Sequence, residues 1–353
     1  MQTHKYFRCL MVLLSAVLLI TACKKNDNGP ATYVTDKKAL ESTIDSLTAV
    51  LNKSVEGTKP GQYAVGSKAA LDSSISLAKQ VDASSAYTQQ QVNNALNNLL
   101  RAGQAFQSQL LQDVSAANLM AFWKFNGNAN DSSGHGNNGT LKTGWIGTSA
   151  TSYSDGGTLP VLTADRFGRA GMAYYFNNGA YIEVPYSPDL NPQNFTISLW
   201  LRRDGSSNGN YMVSLNRWNG YKFQLQGSNL PFLTVSTDKG TFDVDDGGVS
   251  IDSANVWRYV AVSYTSGTMK FYVQGNLVKT AAINGAPVKV SSTVNLSIGN
   301  ELPKNLYNFT DATSPNYFWG ASYFMGALDD IRFYNTTLTD AEIKSIYVQE
   351  SSL

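Results

Sequence analysis

Hydrophobic and polar positions keep two different periods along this 353-residue chain. Between residues 35 and 113 the apolar positions recur at helical spacing. Leu40, Ile44, Leu47 and Leu51 fall at i, i+4, i+7 and i+11, which places them on one face of a helix. Leu71, Ile75 and Ala78 repeat the pattern in a second segment. Val92, Leu96, Leu99, Phe106 and Leu110 do so in a third. Gly57-Thr58-Lys59-Pro60-Gly61 breaks the first segment from the second. Thr88 followed by Gln91 is a capping box, in which hydroxyl and amide each satisfy a free backbone N–H at the start of the third helix. The outer faces carry Ser, Asn, Gln, Lys and Asp. The pattern predicts three amphipathic helices in a small bundle.

After Asn118 the period becomes two. Phe195, Ile197, Leu199 and Leu201 alternate with Thr196, Ser198, Trp200 and Arg202. Val260, Val262 and Tyr264 alternate in a further strand. Met269, Phe271 and Val273 form the next, followed by a Gly275-Asn276 turn and Leu277. Val294, Leu296 and Ile298 alternate again. Short, evenly spaced strands with turn signals between them predict an antiparallel β-sandwich. Thr339 and Glu342 make a second capping box, so a last short helix starts there and turns Ile343 and Ile346 toward the sandwich. The fold class is therefore multidomain: a small three-helix bundle followed by an all-β sandwich.

The first 22 residues follow neither pattern. Lys5 and Arg8 precede an apolar run from Leu10 to Ile20, the arrangement of a secretory signal. A bilayer span needs about 20 apolar residues, more than this run offers. The run ends at Ile20-Thr21-Ala22-Cys23, which resembles a bacterial lipobox, where the Cys carries lipid after cleavage. Cys9 and Cys23 are the chain's two cysteines, so the processed chain holds no intramolecular disulfide and Cys23 is free for lipidation. Residues 23–34 then read as a flexible tether. Among Bacteroidetes-type lipoproteins an acidic run after the Cys directs the protein to the cell surface. Here Lys24 and Lys25 come first and Asp27 is the one acid, which weakens that signal. The expected location is the outer membrane, on the cell surface rather than the periplasmic face.

Composition narrows the chemistry. Lys+Arg is 27 and Asp+Glu is 26, and loss of Lys5 and Arg8 takes the net charge from +1 to −1. Such a balance argues against a nucleic-acid partner, which calls for a basic face. After cleavage one histidine, His135, is left, so multi-His metal sites and Cys-type zinc sites are excluded. His135 itself lies between two glycines and reads as a solvated loop residue.

Two resemblances run along the chain. Gly61-Gln62-Tyr63-Ala64, the Ala70–Ile75 stretch and Thr88-Gln89 leading to Val92 and Ala95 resemble FIVAR-like modules of bacterial surface proteins, which implies a spacer over residues 35–113. Four later stretches resemble, in order, the concanavalin-A-like jelly roll of laminin-G-type lectin domains over residues 119–350. They are Ala121–Gly127 leading to Asp131–Leu141, Phe167-Gly168 leading to Ala173–Gly179 and Tyr181–Pro185, Trp257–Tyr264 leading to Phe271–Gly275, and Gly326–Tyr334 leading to Leu338–Ile343. The second resemblance implies a lectin-like carbohydrate-binding fold, and it places Trp123 and Trp257 in the core. It also implies a structural Ca²⁺ between the Asp131 loop and Asp329, with Asn126, Gly134 and Asn137 as further oxygen donors.

Ligand-contacting residues are sought where aromatic faces meet hydrogen-bonding groups. Arg217-Trp218-Asn219-Gly220-Tyr221 reads as a hairpin tip. The irregular stretch 300–325 carries Asn300 and Glu301 at its start and Tyr317 and Trp319 later, and Trp145 and Tyr153 lie in another loop. Together these features imply a lipid-anchored cell-envelope protein whose jelly-roll loops, with Arg217, Trp218, Tyr221, Asn300, Glu301, Tyr317 and Trp319, bind a polysaccharide or other glycan. A module binding a protein, such as an outer-membrane partner, is the first alternative reading, and a glycoside hydrolase with an atypical carboxylate pair ranks behind it. Catalysis is not expected. A retaining glycosidase needs two carboxyls about 5–5.5 Å apart, and the Glu-x-Asp-x-x-Glu strand of laminarinase-like relatives is missing. Of the acids present, Glu183 sits in a strand motif, Glu342 and Glu350 belong to the terminal helix, and Asp243, Asp245 and Asp246 form an acidic turn.

Overall fold

The computed structural model describes residues 31–205, 209–251 and 254–352. The leader and Cys23 lie outside the described residues. Three helices come first: α1 (Lys38–Lys53), α2 (Ser67–Asp82) and α3 (Gln89–Gln107). Their buried faces are those of the helical period, with Leu40, Ile44, Leu71, Ile75, Val92, Leu99 and Phe106 in one cluster. Both halves of the Thr88–Gln91 capping box are formed. Between α1 and α2 two short strands, Glu56–Gly57 and Tyr63–Ala64, pair, and the Tyr63 ring stacks on Phe106 with centroids 4.1 Å apart.

The remainder is a two-layer sandwich of the jelly-roll type expected from the sequence. The first sheet runs Asn276–Ala281, Thr268–Val273, Trp257–Thr265, Phe195–Arg203, Gly326–Tyr334, Ala173–Phe176, Val161–Thr163, with Leu119–Trp123 also paired to Gly326–Tyr334. The second runs Gly240–Asp245, Leu230–Thr237, Tyr221–Gln226, Asn210–Leu215, Leu296–Ile298, Tyr181–Val184, Thr140–Lys142. All the pairings are antiparallel. Alternate residues meet between the sheets: Phe195, Ile197, Leu199, Val260, Val262 and Phe271 from the first, and Tyr221, Phe223, Leu225, Leu233, Val235, Leu296 and Ile298 from the second. The turn after Thr268–Val273 is one residue earlier than expected. Gln274 and Gly275 take it with φ of +50° and +70°, the geometry that a two-residue hairpin demands.

The outward faces are not left to water. Helix α4 (Asp340–Glu350) starts at the formed Thr339–Glu342 capping box and lays Ile343 and Ile346 against Trp200, Tyr259, Ala261, Tyr272 and Tyr334 on the first sheet. Thr196, Ser198 and Trp200, solvent positions by alternation alone, are therefore buried. Trp257 packs at the margin of this outer cluster while Trp123 is in the main core. The segment linking bundle to sandwich is tied to the same helix: the Gln112 backbone N–H donates to the Ser345 hydroxyl at 2.6 Å. Among the described residues no helix is long and apolar enough to cross a membrane.

Candidate functional site

The site is built on the hairpin that joins Asn210–Leu215 to Tyr221–Gln226. Asn216 and Arg217 have φ of +60° and +36°, and a single 3₁₀ turn, Arg217–Asn219, follows. This turn points the Arg217 side chain inward, where it is fully buried. Its Nη1 donates to Glu301 Oε1 at 2.6 Å, and its Nη2 donates to the carbonyls of Tyr317 at 2.7 Å and Pro315 at 3.2 Å. One guanidinium thus ties the start of the irregular 300–325 stretch to residues 315 and 317 of its later part. Burial raises the Glu301 pKa, and Arg217 opposes that shift. The Tyr307 hydroxyl lies 3.2 Å from Glu301 Oε1 and 3.3 Å from Asn300 Oδ1.

The pinned stretch forms a small core of its own. Phe318 and Ala321 bury against Ala150 of the 145–155 hairpin, with Trp145, Tyr307 and Phe309 around them. Tyr153 stacks on Phe309 at 3.9 Å, and the Trp145 indole N–H donates to the Lys304 carbonyl at 3.0 Å. Above this core Trp319 remains 58% exposed, with its ring edge-on to Tyr317 at 4.7 Å. Trp218 is half-buried, with Arg217 4.5 Å and Lys222 4.7 Å from its ring centre. The structure therefore brings Arg217, Trp218, Asn300, Glu301, Tyr317 and Trp319 into one neighbourhood. Tyr221 is not part of it: its ring packs on Phe195 in the core and its hydroxyl donates to the Leu190 carbonyl. Arg217, Asn300 and Glu301 are buried supports rather than exposed contacts.

Sequence reasoning missed what lies under Trp218. Tyr221, Phe223 and Leu225 face the core, so Lys222 and Gln224 face outward on the second sheet. Lys222 sits in register between Ser214 and Thr234, and Gln224 between Tyr211 and Phe232. The 300–325 stretch covers part of this face, where the Ser214 hydroxyl donates to the Glu301 carbonyl at 2.7 Å. Burial lowers the Lys222 pKa to about 8, against the pull of Asp243 and Glu301. Lys-x-Gln opposite Tyr-x-Phe-x-Leu was the available signal, but it reads as an ordinary solvated face.

The side chains proposed for Ca²⁺ are already engaged. Asp131 accepts from the backbone N–H of Phe122, Ser133 and Asn137 and from the Ser133 hydroxyl, at 2.8–3.0 Å. The Asn137 carbonyl accepts from the Trp123 indole at 2.7 Å, and the Asn137 amide donates to Met120. Asn126 and Gly134 are exposed. Asp329 is held by Arg166 Nη1 at 2.9 Å, and that nitrogen also lies 2.9 Å from Asp330. A guanidinium and loop amides fill the places a cation would take, so these residues do not fit a Ca²⁺ shared between Asp131 and Asp329. Among the described residues no group of three or more His, Cys, Asp or Glu is placed to hold a metal. His135 lies in the exposed loop, with its Nδ1 3.8 Å from Asp189.

The glutamates are structural. Glu183 accepts from Tyr181 and Asn295, Glu342 closes the α4 cap, and Glu350 accepts from the Trp200 indole at 2.7 Å and pairs with Arg332. Asp245 pairs with Lys279 at 3.1 Å, and Asp246 accepts from the N–H groups of Gly248 and Val249.

Residues 176–344 match the model of the Concanavalin A-like lectin/glucanases superfamily. Among solved structures, domain 4 of a GH43 extracellular arabinanase from Geobacillus stearothermophilus, in complex with arabinotriose, is 18% identical with a TM-score of 0.45. It covers 65% of this chain and 98% of its own. The binding domain of Paraclostridial Mosquitocidal Protein 1 is 16% identical with a TM-score of 0.45, covering 66% and 52%. The binding domain of botulinum neurotoxin serotype G is 17% identical with a TM-score of 0.46, covering 67% and 52%. This chain thus spans about half the length of the two toxin structures. No curated protein matches the chain in sequence.

Proposed function

We propose that the jelly roll binds a glycan, and that Trp319 and Trp218 supply its stacking faces. One observation carries this reading: Trp319 is 58% exposed on a stretch that the buried Arg217–Glu301 pair holds in place. A large aromatic ring presented on a fixed support costs little entropy to bind, and its apolar face suits the C–H face of a sugar ring. The superfamily description names lectins and glucanases, both carbohydrate-directed. The structural commitments of Glu183, Glu301, Glu342 and Glu350 favour binding over hydrolysis. In this reading Cys23 anchors the chain by lipid in the outer membrane, at the cell surface. The tether and the helical bundle then hold the binding domain away from the bilayer. A glycan array on the full-length protein tests the binding claim, followed by calorimetry on Trp319→Ala.

A further inference from the structure

We propose that Lys222 and Gln224 form the floor of a subsite beneath Trp218 that reads adjacent hydroxyls of a neutral sugar. The inference rests on the glycan-binding reading and specifies which chemistry the site takes.

Both side chains point away from the sandwich core, two residues apart on one strand, so they stand side by side on one face. Both are buried, at 4% and 5% exposure. An ammonium carries three N–H donors. Among the described residues Lys222 makes one hydrogen bond, to the Tyr211 hydroxyl at 3.3 Å. Its other neighbours are the rings of Trp218, Tyr211 and Phe232, 4.7, 5.3 and 5.7 Å from Nζ, which attract the cation without accepting a directed hydrogen bond. Gln224 Oε1 is buried and lacks a donor among the described residues. Buried polar groups are nearly always partnered, and one that is not calls for a missing ligand or solvent atom.

The two deficits are complementary. One group has donors to spare and the other lacks a donor. A hydroxyl is both acceptor and donor, so adjacent hydroxyls of a sugar can accept from Lys222 and donate to Gln224. The Trp218 ring beside Lys222 offers an apolar surface to match the one that the same sugar presents. Charge selects a neutral ring over an acidic one: Arg217 and Lys222 are balanced by Glu301 and Asp243, both of which act on Lys222. Asp243 accepts from the Thr234 hydroxyl and is itself exposed.

The test uses the full-length protein on an array of neutral hexose and pentose oligosaccharides beside uronate-bearing ones. Wild type should bind neutral members. Lys222→Met and Gln224→Leu should each lose at least about tenfold in affinity, with circular dichroism unchanged. Monodeoxy analogues of the tightest neutral oligosaccharide add a readout that a structural role does not move. One analogue should bind wild type about tenfold more weakly, yet bind Gln224→Leu no worse than the parent sugar does. If a variant fails to fold, the deoxy series on wild type decides, and an affinity that no single hydroxyl changes overturns the subsite. Wild-type affinity in both folded variants, with Trp319→Ala weakened, overturns the subsite and leaves the glycan reading standing. Binding confined to uronate-bearing members overturns the neutral assignment. Binding to none of the array overturns both.

Discussion

Asp329 carries a carboxylate where the fold disfavours its charge. Burial raises its pKa, Asp330 beside it pushes the same way, and Arg166 pulls back. A folded pKa above the unfolded one means that its stabilising contribution is full at low pH and is lost as pH rises through the folded value. Asp329→Asn keeps the shape and cannot ionise, and Arg166 retains Asp330 and the Glu350 carbonyl. Its melting temperature relative to wild type should therefore rise between pH 5 and pH 9; a difference independent of pH would contradict the assignment. At this scale the sequence reveals residue types but not their partners. Asp329 stands out in a strand motif, yet Arg166 lies 163 positions away in sequence. Arg217 and Trp218 are neighbours with opposite fates, one fully buried and one half-buried, because the positive φ of Asn216 and Arg217 turns the chain there.

The 300–325 stretch shows the same gap at the level of elements. Its aromatics mark it as unusual, but with no period of its own its place over the second sheet cannot be read from the sequence. The Arg217–Glu301 pair sets that place. Arg217→Met leaves Glu301 buried without its cation and should cost about 3–5 kcal/mol. Arg217→Met with Glu301→Leu should recover part of the loss, and chemical denaturation of both variants checks this. An equal loss in single and double variants would mean that the pair does not act as a unit. The Asp131 loop makes the opposite case. Its residues look like calcium ligands in sequence, because a Gly- and Asn-rich loop serves a cation or its own backbone equally well. With Asp131 spent on loop amides, chelator should leave the melting temperature unchanged. Asp131→Ala should lower it, by about 1–3 kcal/mol of stability. A fall on chelation alone would restore the metal. The helices and most strands, by contrast, were legible, since periods of 3.6 and two report directly which face is buried. Where alternation misled, as at Thr196 and Ser198, α4 covers a face that a sandwich strand would otherwise show to water.

For the whole molecule the proposed arrangement is a lipid anchor, a tether, a helical spacer and a binding domain. Cys23→Ser should remove lipid and shift the protein from the detergent phase to the aqueous phase in phase partitioning; unchanged partitioning would end the lipoprotein proposal. The jelly roll was readable because four ordered motifs span it. Its ligand was not, because Lys222 and Gln224 acquire their character from cross-strand packing against Tyr211 and Phe232 and from the 300–325 stretch laid over that sheet, which a period of two does not report. The central claim, that an exposed aromatic on a fixed support binds sugar, comes down to one measurement. On the neutral oligosaccharide that full-length protein binds tightest, calorimetry should show Trp319→Ala weakened by more than about 1 kcal/mol, with its melting temperature close to wild type. Wild-type affinity in a folded Trp319→Ala protein, or no glycan bound by wild type at all, would contradict it.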